Sequence, residues 1–145
     1  MALFKYQFND GGRAKAGFRK RFAGDCGARA AAIVTGKPYG EVWDQATRSI
    51  RRFRFGKPTA DGGIDTFELM DCLGELGVRW ETTRFKMGDN VKMVRESIPE
   101  DDHFYIVLMS HHYTVVRNGW IYDTWNPGRT GRKKIKALYK IIPPS

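Results

Sequence analysis

The sequence contains two cysteines, Cys26 and Cys72, among 145 residues. That is too few for a disulfide framework, so a reducing, cytoplasmic compartment is expected. No apolar run approaches the ~20 residues needed to span a membrane as a helix. The first eight residues hold no apolar core followed by a small-residue cleavage site, so a signal peptide is not expected. Cys-x-x-Cys and His-x-x-x-His spacings are both missing. His111 and His112 are adjacent in a predicted strand and point to opposite faces, so they cannot easily hold one ion. With no Walker sequence and no Gly-x-Gly-x-x-Gly, a phosphate cradle is excluded as well. No metal and no cofactor are expected. Internal repeats and low-complexity tracts are also missing.

What the chain does have is a net charge of +9, with 41% hydrophobic and 13% aromatic residues. It is long enough for one domain with its own core. Basic residues cluster at Lys15–Arg21, Arg48–Arg54 and Arg129–Lys136. Such clusters attract nucleic acid or an acidic protein, or simply keep the surface solvated.

Residues 1–24 read as a basic N-terminal arm. It would pack through Phe4, Tyr6, Phe8, Phe18 and Phe22, with a short extended piece near Gln7 and Phe8. Residues 25–145 read as a single domain. A helix is expected from Asp25 to Gly36, with the Asp25 carboxylate capping it and Gly36 ending it in a left-handed conformation. Pro38 suits the start of a second helix, whose apolar stripe is Val42, Trp43, Ala46 and Ile50. Asp65 or Thr66 would cap a third, with Phe67, Leu69, Met70, Leu73 and Leu76 inward. Val78–Phe85 reads as a strand. Val91, Val94 and Ile98 give 90–98 a helical period ended by Pro99. Strands follow at 104–109, 113–116, 120–122 and 135–142, with Asn118-Gly119 as a tight hairpin turn. Helices first and antiparallel strands later predict an α+β fold, with N-terminal helices packed against a C-terminal antiparallel sheet.

The chemistry-bearing residues are few. Cys26 opens a small, apolar helix, where the positive end of the helix dipole favours a thiolate. The same residue also suits a small buried position. Cys72 lies inside the third helix and is read as structural. A nucleophilic thiol needs a base, and the base needs a group that holds its tautomer. Counting outward from the Asn118-Gly119 turn pairs Arg117 with Trp120 and Thr114 with Asp123. His112, Thr114, Asp123 and Trp125 then share one face, with Asp123 diagonal to His112. His111 falls on the other face and is the fallback base. His103, behind the acidic loop Glu100–Asp102, is read as surface or structural.

Taken together, a helix-borne Cys26, then His112 before an apolar strand, then Asp123-Thr124-Trp125, resembles papain-like cysteine peptidases. Asp25-Cys26, Arg29-Ala30 and Thr35-Gly36-Lys37-Pro38-Tyr39 are similar to small phage- and bacteria-encoded members. The resemblance covers about residues 25–126. It implies that Cys26 is the nucleophile, that His112 is the general base and later acid, and that Asp123 orients the imidazole. Members of this superfamily often carry a Gln shortly before the Cys to complete the oxyanion hole, and residues 20–25 contain none. Gln7 and Asn9 are the candidates for that donor. Asp25 is a second departure, because a carboxylate beside a thiolate opposes its ionisation.

Two functions are expected from this reading. One is a cysteine hydrolase, a peptidase or isopeptidase working through a thioester on a protein or peptide substrate, with acyl transfer as a variant. The other is a papain-like scaffold of weak activity that binds an acidic protein or nucleic acid through its basic surface.

Overall fold

The computed structural model describes residues 2–18, 24–56, 58–83 and 91–143. Phe22, the end of the strand expected at 78–85 and the first residue expected in the 90–98 helix lie outside them. The chain divides into two compact units, 10–79 with Pro143, and 1–9 with 80–142. The expected arm, 1–24, is thus shared between them. The fold is α+β, with three helices and a six-stranded, mostly antiparallel sheet among the described residues. No helix of the described residues is long and apolar enough to cross a membrane.

The helical unit contains α1 (Cys26–Thr35), α2 (Tyr39–Phe53) and α3 (Thr66–Glu75). The small side chains of α1 let it pack against both neighbours, and Ala28, Ala30, Ala31 and Ala32 are buried. Gly36 ends it at φ 68°, the left-handed conformation that glycine adopts without a Cβ penalty. The inner stripe of α2 is Val42, Ala46 and Ile50, all fully buried. Trp43 and Tyr39 form an aromatic cluster with Phe18. At α3, Asp65 forms a reciprocal capping box with Glu68. Phe67, expected inward, is 81% exposed. The inward stripe of α3 is Leu69, Met70 and Leu73, and Phe67 points off it.

Asp25 departs from its expected role in a way that matters for the site. It occupies the N-cap position of α1, but its side chain caps nothing. Its carboxylate accepts from Arg13 Nη1 at 3.0 Å, from Arg29 Nη1 and from the Tyr39 hydroxyl at 2.5 Å. Guanidinium groups outcompete neutral backbone N–H groups for a carboxylate, so the ion pairs win over the cap.

The sheet unit is ordered β1-β5-β4-β3-β6-β2. The strands are β1 (Lys5–Phe8), β2 (Arg79–Thr82), β3 (Tyr105–Met109), β4 (His112–Arg117), β5 (Trp120–Asp123) and β6 (Ala137–Ile142). β1 runs parallel to β5, and the β3–β4, β4–β5 and β3–β6 pairs are antiparallel. β3 and β4 are runs of β-branched and aromatic residues, which fit a pleated, buried surface. The core of one face gathers Phe4, Tyr105, Val107, Met109, Val116, Ile121 and Leu138. Of the packing residues expected in the N-terminal arm, Phe4, just before β1, is buried, whereas Phe8 at the end of β1 is 62% exposed.

The helix expected at 90–98 does not form. Only Arg95–Ser97 makes a single 3-10 turn. Val91 accepts from Ile135 N–H and Met93 N–H donates to Lys133, both at 2.8 Å, so these backbone groups bond to another segment. Val91, Met93 and Ile98 still reach the core, from an extended chain rather than a helix face. β-branched residues at helical spacing fit either geometry, and the available partners decided it.

Candidate active site

The β4–β5 hairpin turns on Asn118 and Gly119, with φ of 50° and 81°. Both central residues are left-handed, as a type I′ turn demands. The register is Arg117 with Trp120, Val116 with Ile121 and Val115 with Tyr122, as counted from the sequence. Continued one step, it sets Thr114 opposite Asp123 and leaves His112 on the same face, one diagonal away.

That diagonal is closed by a hydrogen bond. His112 Nε2 lies 2.7 Å from Asp123 Oδ2. The Asp123 side chain is 3% exposed and that of His112 is 13% exposed. Asp123 Oδ1 accepts from the Thr124 backbone N–H at 2.7 Å. The Asp123 carbonyl accepts from the Tyr6 hydroxyl and from Asn9 N–H, each at 2.9 Å. Burial, with the Asp123 charge behind it, raises the Tyr6 phenol above its ordinary value. β1 therefore braces the acid from outside the hairpin. The Trp125 ring stands 4.9 Å from the His112 ring at 44°, shielding the imidazole. Lys133 Nζ lies 5.6 Å from the Trp125 ring centre. A hollow of about 510 Å³ opens beside these residues, lined by Met109, His112, Trp125 and three lysines.

The other histidines are placed differently. His111 is exposed, at φ 56° in the tight β3–β4 turn. Met109 and His112 pair across that turn, so His112 begins the strand and His111 does not. His103 sits against Asp101, at 3.4 Å, and Asp101 also accepts from the His103 N–H and the Tyr105 hydroxyl. That cluster ties down the loop before β3.

Cys26 belongs to the helical unit, as the first residue of α1, and is partly exposed. The neighbouring Asp25 carboxylate carries compensated charge, because Arg13 and Arg29 both bind it. Cys72 is fully buried in α3. Burial, with Asp71 adding its charge, pushes that thiol up to about 12, so it stays protonated at neutral pH. Gln7 is exposed on β1 opposite Tyr122, and Asn9 follows the strand. No group of metal-ligating side chains occurs among the described residues.

Sequence reasoning missed Tyr6 as a brace of Asp123 and the lysines around the hollow as neighbours of His112. The parallel β1–β5 pairing brings Tyr6 in across more than a hundred residues, and no local pattern signals that. The basic run Arg129–Lys136 was visible, but its position beside His112 was not. No family model matches the chain, and the searches of curated proteins and of solved structures returned no match either.

Proposed function

We propose that the protein is a cysteine hydrolase of papain-like design, a peptidase or isopeptidase, with Cys26 as nucleophile, His112 as base and Asp123 as orienting acid. The observation that carries this reading is the shielded His112–Asp123 hydrogen bond at 2.7 Å. An imidazole held through Nε2 by a buried carboxylate has a fixed tautomer, and in this reading Nδ1 is the nitrogen that exchanges the proton. The reading requires the Cys26 thiol to come within hydrogen-bond reach of that nitrogen.

In the reaction, the Cys26 proton passes to His112 and the thiolate attacks the acyl carbon. The tetrahedral oxyanion faces the first turn of α1, whose N–H groups the Asp25 side chain does not cap. His112 returns the proton to the leaving amine as the C–N bond breaks, giving a thioester on Cys26. Water, deprotonated by His112, then releases the acid and restores the thiol. Gln7 pairs with Tyr122 and so lies on the sheet face away from His112 and Asp123, which removes it as the expected oxyanion donor; Asn9, just past β1, would supply a further one.

The test is labelling at neutral pH with iodoacetamide, read site by site by mass spectrometry. Cys26 should react far faster than Cys72, and His112→Ala should slow Cys26 toward the rate of an ordinary thiol. If Cys26 reacts no faster than Cys72, and His112→Ala changes nothing, the hydrolase reading is wrong.

A further inference from the structure

Two of the basic clusters in the sequence meet different fates. In Arg48–Arg54 the charges are used internally. Arg52 pairs with Asp71 at 2.7 Å, Arg54 pairs with Glu68, and Arg51 donates to the Pro58 carbonyl. In Arg129–Lys136 none of Arg129, Arg132, Lys133, Lys134 or Lys136 forms an ion pair with a described residue.

Four of these five cations line two hollows of the sheet unit. Lys133, Lys134 and Lys136 line the hollow beside His112, of about 510 Å³. Arg129 and Lys133 line a second, of about 350 Å³, and Trp125 with Lys133 belongs to both. Among the described residues, no carboxylate lines either one. The segment bearing the lysines is laced into the fold. Lys133 accepts from Met93 N–H, Ile135 N–H donates to Val91 and Lys136 N–H donates to Leu108, each at 2.8 Å. Lys134 also forms an antiparallel bridge with Lys92. The cations are therefore held on fixed backbone, which lowers the ordering cost of binding an anion.

We propose that these joined hollows are the substrate groove, and that they take an acidic stretch of polypeptide, with Glu or Asp side chains facing Lys133, Lys134 and Lys136. Placing this groove next to the reacting bond rests on the hydrolase reading; its preference for carboxylates does not. The apolar floor of Met109 and Trp125 suits the aliphatic stems of such a peptide. Nucleic acid is disfavoured because single strands stack successive bases on several aromatic faces. Trp125, 42% exposed, is the one large aromatic side chain among the described residues lining the two hollows, and the His112 ring and the Lys133 ammonium stand against it.

The experiment measures binding to the full chain carrying Cys26→Ala, by fluorescence anisotropy. The probes are a labelled short peptide of Glu, Leu and Gly, the same peptide with Gln for Glu, and a labelled oligothymidylate of equal charge. The Glu peptide should bind about tenfold more tightly than the Gln peptide at low salt, and the gap should close as salt rises. Lys134→Glu with Lys136→Glu should remove the preference. Lys5→Glu with Arg51→Glu, an equal change of net charge elsewhere, should leave it. Equal binding of the two peptides, equal loss in both double variants, or tighter binding of the oligothymidylate would each overturn the proposal. Hydrolysis of matched Glu and Gln peptides by the wild-type chain separates the two readings. Turnover without Glu preference defeats the groove alone. Glu-selective binding with no turnover and an unreactive Cys26 defeats the hydrolase alone.

Discussion

Asp25 in the helical unit and Asp123 in the sheet unit are the buried aspartates of the described residues, 0% and 4% exposed. Their surroundings differ in kind. Asp25 is held by two guanidinium groups and a phenol. Arginine does not release its proton in the working pH range, so these two partners of Asp25 keep a constant charge. The partners of the Asp123 carboxylate include an imidazole, the Thr124 backbone N–H and, at 3.5 Å, the Thr124 hydroxyl. Imidazole as a group can gain or lose a proton, which is what the proposed base at His112 requires. Burial alone therefore does not separate the two aspartates; the kind of partner each one holds does.

Substitution of each acid should give opposite results. Asp25→Ala leaves Arg13 and Arg29 buried without a counter-charge, and urea unfolding should show a loss of about 3–5 kcal/mol. Asp123→Asn keeps the shape and should change stability by no more than about 1.5 kcal/mol. It should lower kcat for peptide hydrolysis by about 10²- to 10⁴-fold. If Asp123→Asn unfolds the chain while Asp25→Ala leaves it stable, the assignment of roles is reversed.

A smaller effect distinguishes the partners of Asp25. Tyr39→Phe removes a hydrogen bond to a charged group and should cost about 1.5–3 kcal/mol. It should also change the alkaline limb of stability. Burial first, then the hydrogen bond to Asp25, raises the Tyr39 phenol above its ordinary value of 10.0. A raised folded value means the folded chain keeps its proton when the unfolded chain gives it up. The contribution is therefore whole below pH 10 and declines as pH climbs beyond it. Unfolding followed from pH 8 upward should show a shallower decline in Tyr39→Phe than in wild type. An identical slope would remove the phenol from that account. Cys72, raised from 9.0 to about 12, acts with the same sign from about pH 9.

The smallest expected effect belongs to a third aspartate. Asp65 is exposed and caps α3 through its side chain, which Asp25 does not do for α1. Asp65→Ala should cost about 1 kcal/mol in the same urea measurement and leave Cys26 labelling unchanged. A loss as large as that of Asp25→Ala would mean that capping, not ion pairing, sets the scale of the comparison.

Much of this was legible in the sequence because the interactions are local. The α3 cap, the left-handed Gly36, the Asn118-Gly119 turn and the shared face of His112 and Asp123 all follow from residues a few positions apart, where periodicity and turn chemistry have one solution. Tertiary structure decided the rest. It drew the Asp25 carboxylate from a local cap to Arg13 and Arg29, because two charged donors outweigh a backbone N–H. It kept 91–98 from coiling into a helix, because Lys133 and Ile135 bond to its backbone groups. Parallel β1 reached Asp123 with Tyr6, and the lysines of 133–136 lined the hollow beside His112. Such pairings depend on partners far away in the chain, and a local pattern carries no record of which partner will arrive.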